Sequence, residues 1–225
     1  MLYFTGDMHG EIERFDRLRE THPDMGGGDH LIVCGDFGFL FFNDEAEAER
    51  LDRIARLPYT VCFIDGNHEN FAALNALPIE RWNGGNVHKL RPNVIHLMRG
   101  QVFDIEGRSV FTMGGAYSVD RYMRRQNVTY WAEELPSNDD YREASANLAR
   151  VGRNVDIVVS HTAPAGIIRQ MGYSPNVHEA ELAGFLDWVM CDVGFGEWFF
   201  GHWHVDLDFD NIHALLYRVV ECKKE

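Results

Sequence analysis

The feature that most constrains this chain is a recurrence: a short, largely apolar run, then a polar pivot of aspartate, asparagine or histidine, usually flanked by glycine. "MLYF" (1–4) leads into "TGDMHG", "HLIVCGD" spans His30 to Asp36, and "TVCFIDGN" spans Thr60 to Asn67. "VDIVVS" (155–160) runs straight into His161, and "EWFFGHWH" ends in His202 and His204. Apolar runs of this length without polar alternation suit strands covered on both faces, as in parallel sheets. Helical spacing of apolar residues fills the intervals at Glu11–Arg19, Asp44–Leu57, Phe71–Leu77, Tyr141–Val151 and His178–Val189. Strands alternating with helices predict parallel βα units, hence an α/β fold.

Two stretches depart from that alternation. Between Val87 and Met113, "VHKL", "VIHL", "QVFDI" and "SVFTM" follow one another with only turn residues between them, which predicts a meander of short strands. Residues 114–140 are polar and rich in aromatics, with no clear period. The chain closes on "ALLYRVV", a further apolar run, and no repeat, low-complexity tract or linker divides it. One domain over 1–225 is expected, with 114–140 as a candidate cap.

Composition narrows the classes. Of 225 residues, 45% are apolar and 12% aromatic, enough for a continuous core. No apolar run approaches the ~20 residues that span a bilayer, and no basic segment precedes an apolar one at the start, so a cytoplasmic protein without membrane association is expected. Cys34, Cys62, Cys191 and Cys222 lack CxxC spacing and read as reduced, structural thiols. A net charge of -14 argues against an extended nucleic-acid surface. It leaves room for a small phosphorylated substrate, because bound divalent cations reverse the local sign of the potential. Oligomeric state is not encoded in any motif.

The chemistry lies at the strand ends. Asp7 and His9 follow the first run, Asp36 the second, Asn67 and His68 the third, His161 the next, and His202 with His204 the last. In open α/β sheets the carboxyl ends of parallel strands share one edge, so residues far apart in sequence converge there. Asp, Asn and His are oxygen and nitrogen donors suited to divalent metals. Glycine in "TGDMHG", "CGDFG", "DGNHEN" and "GHWH" lets the backbone turn tightly enough for neighbouring side chains to face one centre.

As an ordered set, "GDMHG", "GD" at Asp36, "GNHE", "SH" at His161 and "GHWH" resemble the five blocks of the calcineurin-like metallophosphoesterase superfamily, across residues 6–204. The resemblance implies a four-layer α/β/β/α sandwich with two divalent metal ions at the sheet edge, Mn²⁺ first and Fe or Zn²⁺ as alternatives. Carried over, one metal falls to Asp7, His9, Asp36 and His204, and the other to Asp36, Asn67, His161 and His202, with Asp36 as the bridge. The implied reaction is hydrolysis of a phosphomonoester or phosphodiester by metal-bound hydroxide, with His68 serving the leaving oxygen. A nucleotide or small phosphodiester is the preferred substrate; a phosphoprotein phosphatase or nuclease of the same fold is the alternative, and a non-catalytic scaffold the rival from another class. Every ligand position is filled, which weighs against the scaffold.

One position departs from the family pattern. Three residues beyond Asp36, where many members place an Asp that supports the catalytic His, this chain has Phe39. Glu69 and Asp65 are the remaining candidates to orient His68. The segment "GGAYSVDR" (114–121) is similar to one in small bacterial and phage members of the superfamily. It continues into the densest basic cluster of the chain, Arg121, Arg124 and Arg125, interleaved with Tyr117, Tyr122, Tyr130 and Trp131. Guanidinium forks onto phosphate and aromatic stacking onto bases make these arginines candidate substrate-binding residues, with a solvated loop as the plain alternative. His22, His30, His88, His96, His178 and His213, outside the blocks, read as surface or hydrogen-bonded structural residues.

Overall fold

The computed structural model describes residues 1–223. Its strands form two sheets. The first contains β1 (Leu2–Thr5), β2 (His30–Val33), β3 (Thr60–Phe63), β4 (Ile79–Trp82), β5 (Gly85–Arg91), β6 (Val94–Leu97) and β13 (Val219–Cys222), in the order β13-β1-β2-β3-β6-β5-β4. The second contains β7 (Val102–Ile105), β8 (Arg108–Met113), β9 (Asn154–Ser160), β10 (Gly194–Phe200), β11 (Leu207–Phe209) and β12 (Ile212–Ala214), in the order β11-β12-β10-β9-β8-β7. The strands that precede the polar pivots run parallel: β1, β2 and β3 in one sheet, β9 and β10 in the other.

Three apolar cores separate four layers. Phe4, Ile32, Cys34, Cys62, Ile95, Ile157, Val159 and Phe199 fill the space between the sheets. Phe4 of β1 stacks on Phe199 of β10 with centroids 4.0 Å apart and planes 8° from parallel. The outer face of the first sheet is covered by α1 (Glu13–Thr21) and α2 (Glu45–Ile54), through Phe15, Leu18, Leu51 and Ile54. The outer face of the second is covered by α4 (Asn138–Arg150), α5 (Ala165–Gln170) and α6 (Ala180–Asp192), through Leu148, Ile168, Leu182 and Leu186. The expected α/β/β/α sandwich is what the chain builds, and double coverage explains why its central strands are apolar on both faces. All four cysteines are free thiols. Among the described residues no helix is long and apolar enough to cross a membrane.

Local patterning misplaced several elements. The strands at 87–113 are not one meander: β5 pairs with β6 in the first sheet, while β7 pairs with β8 in the second. The chain crosses between sheets at Arg99–Gln101, where Gly100 takes φ +68° and closes on the backbone of Ala144. Turn chemistry encodes a reversal; the sheet that receives the next strand is decided by packing. "ALLYRVV" likewise divides: Ala214 ends β12 in the second sheet, and Val219 begins β13 on the edge of the first. α4 starts at Asn138, ahead of the Tyr141 expected from apolar spacing, because Ser137 and Asp140 form a reciprocal capping box. β4, β11, α5 and the short helix α3 (Phe71–Asn75) complete the chain; of these only α3 carried a periodic signal.

Candidate metal centre

Every pivot residue lies where its strand stops. The loops after β1 and β2 are tied together by backbone: the N–H groups of Met8 and His9 donate to the Asp36 carbonyl at 3.0 and 2.8 Å. Across the sandwich, Gly201 N–H donates to the His161 carbonyl at 3.0 Å. Arg14 of α1, almost fully buried, donates to the Asp7 carbonyl and to Thr5 Oγ1, fixing the exit of β1. Glycine is required by close approach at two points. A Cβ on Gly35 (φ +96°) would collide with the His161 ring, and one on Gly66 with the Asp36 carboxylate.

His9, Asp36, His202 and His204 all adopt positive φ, at 47°, 47°, 65° and 51°. Non-glycine residues held in this region cost about 1–3 kcal/mol each and persist where the surroundings dictate them. Here the conformation turns each side chain inward toward the others.

Two donor groups result. Asp7 Oδ2 lies 3.1 Å from His204 Nε2 and 3.6 Å from His9 Nε2, and the two imidazole nitrogens are 3.1 Å from each other. Asp7, Asp36 and His161 form the second convergent group. Asp36 faces both sides, with Oδ2 3.9 Å from His9 Nε2 and Oδ1 3.4 Å from His161 Nε2. Asn67 Oδ1 is 3.2 Å from His161 Nε2, and the His161 and His202 rings are 5.0 Å apart. Asp7 Oδ2 is buried without a hydrogen-bond partner, a costly position for an anionic oxygen. An orphaned carboxylate oxygen facing two imidazole nitrogens fits a divalent cation in donor type and convergence.

The charges follow from this crowding. Burial pushes the Asp7 and Asp36 carboxyls up, but neighbouring histidines outweigh it and hold both well below the carboxylate range. Burial equally opposes charge on His161, yet the adjacent Asp36 carboxylate lifts it to about 10. His161 Nδ1 donates to the Cys34 carbonyl at 2.7 Å, which leaves Nε2 facing the cluster.

Among the described residues the His68 imidazole has no carboxylate hydrogen-bond partner. Glu69 accepts from the Phe37 N–H at 2.7 Å, and Asp65 is held by Arg99 at 2.5 Å and His96 at 3.1 Å. Phe39 packs in the core against Phe15 and Phe37. Instead the backbone N–H of His68 donates to Asp36 Oδ1 at 2.8 Å, and Arg124 reaches its ring, with Nη1 3.1 Å from Nδ1 and Nη2 3.0 Å from Nε2. Ring nitrogens diverge, so one flat guanidinium cannot serve both by in-plane hydrogen bonds; it lies against the ring. Burial, reinforced by Arg124, pushes the His68 imidazole down despite Asp36.

The three arginines have separate fates. Arg124 is anchored by Asp120 at 2.8 Å and meets His68. Arg121 is bound to the buried Glu134 at 2.5 Å and covers the Tyr117 ring. Arg125 is exposed. Residues that sequence reading did not single out are Ser118 and Glu134: Asn67 Nδ2 donates to Ser118 Oγ at 3.1 Å, and Ser118 Oγ donates to Glu134 at 2.9 Å. A Ser and a Glu in an aperiodic stretch carry no local sign of such a role.

The family model for calcineurin-like phosphoesterases matches residues 2–206. The chain belongs to the calcineurin-like phosphoesterase family. This calcineurin-like chain is also similar to the lariat debranching enzymes of Schizosaccharomyces pombe, at 29% identity over 136 residues, and of Drosophila melanogaster, at 26% over 181. These alignments cover 59% and 72% of the chain but only 26% and 33% of the relatives, so it spans about a third or less of their length. A Staphylococcus aureus crystal structure provisionally described as a 5′-nucleotidase shares the fold, with TM-score 0.52 and 14% identity, over 96% of this chain and 48% of its own.

Proposed function

We propose that this calcineurin-like chain is a metal-dependent phosphoester hydrolase with a two-cation centre, acting on a nucleotide or small phosphodiester. The observation that carries the reading is Asp7 Oδ2, buried and unpartnered, facing His9 and His204, with Asp36 turned toward both donor groups. One cation would be held by Asp7, His9, Asp36 and His204, the other by Asp36, Asn67, His161 and His202. Bound there, divalent ions would supply positive charge to phosphoryl oxygens and lower the pKa of a bound water. Mn²⁺ is the first choice, with Fe or Zn²⁺ as alternatives.

The protein's own groups do the rest. Asp36 fixes the His68 loop through its N–H, so the imidazole stays beside the cluster, where it can hand a proton to the departing oxygen. Arg124 lies against that ring and offers its guanidinium to a substrate phosphate, while the 114–140 segment that carries it serves as a cap. Ser118 and Glu134 hold Asn67 in orientation. Preference for a nucleotide rests on the cap's aromatics, Tyr122 being 84% exposed beside Arg121, Arg124 and Arg125, and agrees with debranching enzymes among the relatives. The test is hydrolysis of a panel of monoesters and diesters by protein loaded with Mn²⁺, with metal content measured in parallel. Full turnover after exhaustive metal removal refutes the reading.

A further inference from the structure

The stretch of the cap between Gly115 and Glu134 leaves the body of the protein and returns to it at one ion pair. Arg99 lies in the crossing between the sheets, its side chain 9% exposed. Its Nε and Nη2 are 2.6 and 2.5 Å from Asp65 Oδ2, while His96 Nε2 is 3.1 Å from Oδ1. Nη2 also donates to the Glu134 carbonyl at 3.3 Å. The planar guanidinium fork holds its donors in fixed directions. It therefore ties the end of the cap to the residue that leads into Gly66, Asn67 and His68.

The neck of the cap is closed from both sides. Gly115 N–H donates to the Asp65 carbonyl at 2.9 Å and Ala116 N–H to the Glu134 carbonyl at 3.1 Å, so entrance and exit are fastened to each other and to the loop after β3. A Cβ on Gly114 would collide with Asp65, and one on Gly115 (φ +95°) with the Glu134 carbonyl. Inside the cap, the Glu134 carboxylate accepts from Ser118 N–H at 2.8 Å and binds Arg121 at 2.5 Å, and Arg124 then meets His68. Both halves of the Arg124–His68 contact thus hang from the Arg99–Asp65 pair, His68 along the chain and Arg124 through the cap. Buried ion pairs add little net stability, since desolvation offsets their attraction. What this pair supplies is a fixed separation between neck and loop.

We propose that Arg99, acting through Asp65, is a positioning residue for His68: it sets the separation between the cap and the loop after β3, so that Arg124 lies against the imidazole and keeps it turned toward the leaving oxygen. The assignment rests on the hydrolytic role given to His68 above. Among the described residues no hydrogen bond joins either side chain to a metal donor.

The test uses the full-length protein with Mn²⁺ on p-nitrophenyl and phenyl phosphates, each as monoester and diester. Arg99→Lys keeps the charge but cannot reach Asp65 and the Glu134 carbonyl together. It should slow cleavage of the phenyl esters about tenfold, the scale of a misplaced reacting group. The p-nitrophenyl esters, whose leaving group needs little protonation, should lose less than about twofold. Bound metal should be unchanged, and amide hydrogen exchange at 65–68 and 116–134 should quicken. Arg99→Met strands the Asp65 charge and should lower Tm; Asp65→Asn/Arg99→Met should recover most of that stability and still show the defect on phenyl esters. Unchanged rates in Arg99→Lys, equal losses on both leaving groups, or activity that recovers along with Tm in the double variant overturns the proposal. A wild type that cleaves none of the four esters overturns the hydrolytic reading itself and this assignment with it, an outcome distinct from an active wild type that Arg99→Lys matches.

Discussion

Metal-linked stability tests the centre without knowledge of the substrate. Without cations, Asp7 and Asp36 are two buried carboxylates in one donor group, and Asp7 Oδ2 has no hydrogen-bond partner. An ion that binds only the folded state adds about 2.7 kcal/mol at a hundredfold excess over its Kd. In a chain of this size each kcal/mol moves Tm by about 2–4 °C, so each filled site should raise it by roughly 5–10 °C. The assay is calorimetry in Mn²⁺ and in chelator, with bound metal counted by mass spectrometry. Wild type should show the response of two sites. His9→Ala removes a donor from one group and should keep about half of it, whereas Asp36→Asn removes the charge facing both and should lose nearly all. Asp7→Asn removes the carboxylate that belongs to both donor groups and should lose most of the response to metal. A wild-type Tm indifferent to Mn²⁺, or Asp36→Asn retaining two metals and the full shift, would refute the bridged arrangement.

His68→Ala should retain both metals yet slow turnover by roughly 10²- to 10⁴-fold, the scale of a lost general acid; the loss should shrink for p-nitrophenyl esters, and an equal loss on poor leaving groups would exclude the role. Arg124→Ala should raise KM for the natural substrate and lower kcat through a loosened His68, whereas the exposed Arg125→Ala should change neither by more than about twofold; steady-state kinetics on the two variants decides. The last prediction concerns pH. His88 is buried with Nδ1 3.1 Å from His96 Nδ1, and burial, aided by His96, pushes its imidazole down from the usual 6.5 to about 4. Its contribution to stability is therefore present above pH 6.5 and lost as pH falls toward 4, by up to about 3 kcal/mol. Denaturant titrations across that range should show the slope in wild type and less of it in His88→Phe.

Much of this protein was determined locally. An apolar run covered on both faces must be a strand, and a glycine next to Asp, Asn or His lets the chain turn sharply, so the pivots Asp7, Asp36, Asn67 and His202 were legible as strand ends, His161 by its apolar run alone, and parallel order placed strand ends on one edge. The α/β class follows from the same pattern, because strand and helix periods are properties of neighbouring residues, whereas the four-layer arrangement was implied only by the family resemblance. What only the tertiary structure decided are contacts between residues distant in sequence. The sheet that takes β7 rather than β6, the splitting of "ALLYRVV", the replacement of a carboxylate by Arg124 at His68, and the engagement of Arg121 with Glu134 all depend on which surfaces meet after collapse. So does the Arg99–Asp65 pair, whose immediate neighbours give no sign that it will fasten both ends of the cap. Hydrogen-bond satisfaction and ion pairing are set by burial and by the partners that burial brings within reach, and neither is a property of a short stretch of chain.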